Sequence, residues 1–290
     1  VTNVTVSGDD ANFDRMELYI DGTLLATWTT PGEYTFALNT TAYADGGHVL
    51  TLKVIDKAGN EFETSVSITI DNTSPEVDIL SPTGGYLAGT VDVMLYGFDA
   101  YLDRIELYIN DTLLTSWSVN GIHTYSLDTT AYADGSYTLK AKVIDKAGNE
   151  AEANVSVVID NTPPTAAITA PEDGAEVTGT VTITVSGDDA NFDRMELYID
   201  GALVATWTTS GTHDYEWDTT AYGDGAHRIE LRVIDKAGNS AEASITVYTT
   251  NVATWRREAH TSGLTLGATA AGIPLLIAGA AAGFLLRRRP

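Results

Sequence analysis

The sequence predicts an all-β protein: three antiparallel β-sandwiches in tandem, then one C-terminal transmembrane α-helix. Three observations carry this. One peptide pattern recurs at offsets of 89 and then 90 residues. Inside each copy, apolar and polar residues alternate with the period of two that marks half-buried strands. After the last copy comes a run of 23 residues without a charge.

The repeated pattern has three parts. Asp-Arg-Met/Ile-Glu-Leu-Tyr-Ile stands at residues 14–20, 103–109 and 193–199. Thr-Thr-Ala-Tyr-Ala/Gly-Asp-Gly follows at 40–46, 129–135 and 219–225. Val-Ile-Asp-Lys-Ala-Gly-Asn closes each copy at 54–60, 143–149 and 233–239. This period is too long for a solenoid repeat and matches one small sandwich domain with its own core. The 290 residues therefore divide into domains at 1–72, 73–161 and 162–251, a juxtamembrane linker at 252–263, a membrane helix at 264–286 and a basic tail at 287–290. The chain has no cysteine, so each domain depends on packing alone.

Strand by strand, the alternation is regular. In the first copy Met16, Leu18 and Ile20 alternate with Arg15, Glu17 and Tyr19. Leu50, Leu52 and Val54 alternate with Thr51 and Lys53, and Val66, Ile68 and Ile70 with Ser65, Ser67 and Thr69. The apolar set of each should face inward. Turn chemistry separates them at Asp21-Gly22, Asp45-Gly46-Gly47 and Ala58-Gly59-Asn60. About seven short strands per copy are expected of such a sandwich.

One corner favours the immunoglobulin type. Asp134-Gly135-Ser136-Tyr137-Thr138-Leu139 has the layout of the turn into strand F, where a tyrosine hydrogen-bonds back to the corner. His48 and His227 hold that place in the other copies. An imidazole can make the same bond, so these histidines read as structural. With these residues and the linker Ile-Asp-Asn-Thr-Pro-Pro at 159–164, the repeats resemble the tandem Ig-like domains of bacterial and archaeal cell-surface proteins. The resemblance covers residues 1–250. It implies the fold, while such domains serve variously as spacers, adhesin stalks and cell-envelope parts. Proline stiffens the linkers at 70–75 and 159–164, so consecutive domains are expected nearly end to end.

The two ends differ. The first copy lacks the segment that reads Val77-Asp78-Ile79-Leu80-Ser81-Pro82 in the second, so its first strand is expected to be missing. Either the sequence is a fragment of a longer chain, or a neighbouring molecule donates the strand. An uncovered edge is otherwise a pairing hazard. At the other end, the uncharged run starts at Leu264 and closes at Leu286. At 1.5 Å per residue it spans roughly 34 Å, enough to cross a bilayer. Arg287, Arg288 and Arg289 favour an inside C-terminus, although Arg256 and Arg257 flank the other side. The expected placement is the cell membrane, single-pass, with extracellular repeats and a cytoplasmic C-terminus. Gly279 and Gly283 form a small-xxx-small pattern that makes self-association a candidate. Asn3, Asn39, Asn72, Asn110 and Asn154 open Asn-X-Ser/Thr triplets and are glycosylation candidates.

A net charge of −24 argues against a nucleic-acid partner. It reads as solubility through self-repulsion, or as carboxylates for divalent cations. No hydrolase elbow, metalloprotease or phosphate-loop motif is present, and the five histidines are scattered, so no enzyme is expected. The candidate calcium ligands are Asp10 with Asp14, Asp99 with Asp103, Asp189 with Asp193, and the linker residues Asp71 and Asp160. Calcium takes six to eight oxygens, so each pair is a partial site; the alternative role is loop capping. Trp28, Trp117 and Trp207 share one position and either stack on a sugar or protein partner or pack against the core. The reading is a membrane-anchored surface stalk, adhesion or envelope protein. A glycan- or protein-binding module and the stalk of an enzyme with an upstream catalytic domain are the alternatives.

Overall fold

Alternation, β-branched residues and closely spaced turns leave the chain little choice but short antiparallel strands. The computed structural model describes residues 1–251. The helix expected at 264–286, its linker and its basic tail lie outside the described residues. Among the described residues no helix is long and apolar enough to cross a membrane.

The first sandwich comprises β1 (Thr2–Gly8), β2 (Phe13–Ile20), β3 (Thr23–Trp28), β4 (Gly32–Leu38), β5 (Gly46–Asp56) and β6 (Glu61–Ile70). Its sheets are ordered β1–β4 and β3–β2–β5–β6. The second comprises β7 (Glu76–Ser81), β8 (Gly85–Leu87), β9 (Thr90–Phe98), β10 (Leu102–Ile109), β11 (Thr112–Trp117), β12 (Gly121–Asp128), β13 (Gly135–Asp145) and β14 (Glu150–Ile159). Its sheets are β7–β9–β12 and β11–β10–β13–β14–β8. The third repeats that order with β15 (Thr165–Ala170), β16 (Glu176–Val177), β17 (Thr180–Asp188), β18 (Phe192–Ile199), β19 (Ala202–Trp207), β20 (Gly211–Asp218), β21 (Gly225–Asp235) and β22 (Ser240–Thr249). Two pairs run parallel, β8 on β14 and β16 on β22; the rest are antiparallel. The strand count is six, eight and eight, not a uniform seven, because the opening segment of the later domains serves both sheets as two strands.

The hairpin from β2 to β3 turns at Asp21-Gly22, with φ of +48° and +78°. Asn110-Asp111 and Asp200-Gly201 repeat the two positive φ values. This is the primed turn whose twist suits a two-residue hairpin.

Facing sheets meet through buried aliphatics: Leu95, Ile105, Leu107, Leu139 and Val143 in the second domain, with equivalents in the third. A glycine sits where the sheets come closest. A Cβ on Gly97 would lie 2.7 Å from Ile105 and 2.9 Å from Val143; Gly8 and Gly187 are equally crowded by Val54 and Val233. Their φ values are not positive, so space and not backbone conformation excludes a side chain.

The strand-F corners form the bonds expected of them. Tyr137 donates its hydroxyl to the Ala133 carbonyl at 3.0 Å. His48 reaches the Ala44 carbonyl through Nε2 at 2.8 Å and Asp21 through Nδ1 at 2.5 Å. His227 does the same with Gly223 and Asp200. Both ring nitrogens face acceptors, which only imidazolium can satisfy. The bond to Asp21 raises the His48 pKa above its ordinary value. Burial pulls that of His227 down, but the bonds to Asp200 and Gly223 outweigh it.

One inward face is incomplete. Val66, expected inside, is 57 % exposed, because no strand covers β6 in the first domain.

Replacing Gly97 by alanine should overpack the core and cost about 1–3 kcal/mol, seen as a lower midpoint in thermal unfolding. The histidine corners contribute stability that is complete below the unfolded value of about 6.5 and is lost as pH rises through the raised folded value. Thermal midpoints should therefore fall across that window. The double variant H48Y/H227Y, which copies the Tyr137 corner, should lose the fall; an unchanged profile would count against the assignment.

Candidate metal centre

At each junction the linker meets two loops of the following domain. Asp71 lies just after β6, Asp99 after β9, and Asp145 ends β13. Each is oriented by its own loop. The Thr73 amide donates to Asp71 Oδ1 at 3.2 Å, that of Tyr101 to Asp99 Oδ1 at 2.6 Å, and that of Asn149 to Asp145 Oδ1 at 2.8 Å. Asn149 Nδ2 then spans two elements. It donates to Asp145 Oδ2 at 2.6 Å and to the backbone carbonyl of Asp71 at 3.1 Å. That bond brings the linker to the next domain.

One carboxylate oxygen from each of Asp71, Asp99 and Asp145 lies within 4.8 Å of the others. Calcium–oxygen contacts of about 2.4 Å let a single ion span oxygens about 4.8 Å apart. Asp99 and Asp145 are buried and Asp71 is half-buried. Asp71 Oδ2 is shut away from solvent with no hydrogen-bond partner. Burial, then the charges of Asp145, Asp99 and Asp45, hold the Asp71 pKa above the usual carboxylate range. An unpaired buried acceptor costs about 1–3 kcal/mol, and more when charged. A hard cation with oxygen ligands answers both the orphaned oxygen and the mutual repulsion.

The second junction repeats the arrangement with Asp160, Asp189 and Asp235. Asn239 Nδ2 donates to the Asp160 carbonyl at 2.8 Å. One partner differs. Asn191 donates to Asp160 Oδ2 at 2.7 Å, and Tyr101 stands at that place in the second domain. The Asp71 oxygen lacks the amide donor that Asn191 gives Asp160, since Tyr101 fills that position. At the second junction it is Asp189 that is raised, by burial and then by Asp160, Asp235 and Asp188.

The first domain holds two members of the set. Asp10 and Asp56 line one hollow with Gly8, Asp9, Val54 and Asn60. After the third domain, Thr250 stands where the linker aspartate would be, while Asn251 still accepts from Thr219 Oγ1 at 2.8 Å, as Asn161 does from Thr129.

Of the expected ligands, Asp71, Asp99, Asp160 and Asp189 are brought together. Asp14, Asp103 and Asp193 are not among those groups. A register shift at the start of β2, β10 and β18 puts each beside the following arginine. Arg15 accordingly bonds Asp14 and Glu17 at 2.7 Å each, and Arg104 and Arg194 copy it. Asp145 and Asp235 were missed. Their signal is the repeated Val-Ile-Asp-Lys-Ala-Gly-Asn motif, whose aspartate ends a strand and whose asparagine reaches the linker.

A family profile for the bacterial Ig-like domain matches residues 1–72 and 99–161, and one for the bacterial Ig domain matches 164–231. Residues 1–72, 99–161 and 164–231 are Ig-like repeats of the bacterial type, in tandem. No curated protein matches the array significantly. Among solved structures, it is 22% identical to the CbhA fibronectin(III)-like modules of Clostridium thermocellum, over 61% of the array and 95% of that chain, with a TM-score of 0.42. A tetra-tandem repeat from the extending region of a large adhesion protein is 19% identical, over 86% of the array and 70% of that chain, at 0.35. A 1.5-MDa bacterial ice-binding adhesin is 20% identical, over 87% and 91%, at 0.32. Likeness at these scores carries no functional argument.

The other candidates of the array are placed as follows. Trp28, Trp117 and Trp207 are half-buried, pack against their cores and stack on Tyr34, His123 and His213 at 5.2, 4.8 and 5.3 Å. Asn3, Asn39, Asn110 and Asn154 are exposed. Asn72 is half-buried, and its amide donates to the Thr40 carbonyl and to Asp45.

Asp71→Asn keeps the Oδ1 acceptor and removes one charge. In chelator the variant should melt higher than the parent. In millimolar calcium the parent should gain about 2–3 kcal/mol if the ion is near 100 times its Kd, and the variant should gain far less. Equal calcium shifts in both proteins would remove Asp71 from the site.

Proposed function

We propose that the array is a membrane-anchored cell-surface spacer of a stalk, adhesion or envelope protein, with domain junctions stiffened by calcium. The observation that carries this is that each acid triad draws one member from a linker and two from the domain that follows. A cation held there fixes the linker against the next domain. Such fixation suits a protein whose task is to hold something at a distance. The absence of catalytic motifs and the threefold repetition of one unit fit the same reading.

What supports the anchor is the uncharged run at 264–286 followed by three arginines. Calcium is preferred to magnesium because carboxylates on separate loops suit a flexible oxygen shell better than a strict octahedron.

Small-angle scattering of the three-domain portion should give a longer maximum dimension in calcium than in chelator, with magnesium weaker. Identical curves in all three would overturn the stiffening role. The full chain should sediment with membranes, and a version lacking 264–286 should not.

A further inference from the structure

We propose that the outer face of the sheet β7–β9–β12 docks a second protein, one whose contact surface is apolar at its centre and cationic at its rim. Strand alternation sends Met94, Tyr96 and Phe98 of β9 away from the core, while Val93, Leu95 and Gly97 beside them are buried. Ile122 of β12 stands opposite Tyr96. On the other side, the bulge at Leu80 lies next to the pair of Ser81 and Met94. Leu80, Met94, Phe98 and Ile122 are exposed, Ile122 by 60 %, and Tyr96 is half-buried. Three large apolar side chains on one face of β9 make a stripe roughly 14 Å long, with a neighbour on either strand.

The flanking repeats serve as the control. The third domain has Thr169, Thr184, Ser186, Asp188 and Thr212 at these five places. The first has Thr5, Ser7, Asp9 and Glu33 at the four that β9 and β12 supply. A sheet face that meets water is polar, and both flanking copies obey this. The middle copy departs from it at every one of the five positions, on one contiguous face. Contiguous exposed apolar surface of this kind marks a contact site, whereas scattered single residues do not.

Charge decides the occupant. The three strands carry Glu76, Asp78, Asp92 and Asp128 and neither lysine nor arginine. Asp78 stands opposite Tyr96, so the acidic rim begins one strand from the apolar stripe. Two copies laid face to face would set carboxylates against carboxylates, on chains of net charge −24. A partner with lysines or arginines around an aliphatic or aromatic centre meets both features. The proposal does not rest on the cation reading above.

The three methionines of the chain make the test local. Met94 lies on the face, while Met16 and Met195 are fully buried in the flanking cores. Residues 1–251, which hold all three cores, are labelled at the methionine methyls and followed by NMR. The probe is a synthetic helix with a leucine face edged by lysines, because a helix laid on a sheet is a common layer packing. It should shift the Met94 methyl and leave Met16 and Met195 in place. The same helix edged by glutamates should not. Y96S/I122T gives both places the third domain's residues, keeps the reporter and lies outside the core; it should weaken binding about tenfold or more. No shift at Met94, equal binding of the two helices, or unchanged affinity of the variant overturns the docking face. A Met94 shift that grows with protein concentration in the absence of the probe overturns it in favour of pairing between copies.

Discussion

The organisation of this chain depends on one amide. Asn149 in the second domain, and Asn239 in the third, donate to the backbone carbonyl of the preceding linker aspartate. That bond joins the linker to the following domain, and at the second junction Asn191 adds another to Asp160. With it, the linker aspartate is delivered to two acids of the next domain. The same asparagine also bonds its own strand-end aspartate, so one side chain sets both the turn and the junction.

The linker is gripped from behind as well. Asp45 accepts from the Asn72 amide at 2.7 Å and from the Thr73 hydroxyl, and Asp134 repeats this with Asn161 and Thr162. The aspartate of the repeated Asp-Gly turn therefore ties each domain to the linker leaving it. Loop capping, which competes with cation binding when read from sequence, takes one oxygen of each acid here. Oδ1 of Asp71 and of Asp99 serves its own loop, which leaves the Oδ2 atoms outside those bonds.

Most of the fold was legible because it is written three times. Alternation at Met16, Leu18 and Ile20 gave the buried face of β2, and Asp21-Gly22 gave its turn. The site was legible in part. Asp10 and Asp14 look like one pair in sequence, yet the register shift in β2 turns Asp14 toward Arg15. Asp145 hid inside a motif that reads as an ordinary turn. Its burial depends on contact with the linker, a relation between residues 74 apart that no local pattern encodes. Val66 failed for a similar reason: alternation says which face is apolar, but not whether anything lies over it.

The exchange of Tyr101 for Asn191 makes the two junctions unequal. An amide already satisfies Asp160, whereas the Asp71 oxygen has nothing in its place. If a cation is shared between such sites and then withdrawn, the strain that appears is not uniform. It concentrates between the first and second domains, where a buried carboxylate oxygen has no donor of its own, so a chain losing calcium would loosen there first.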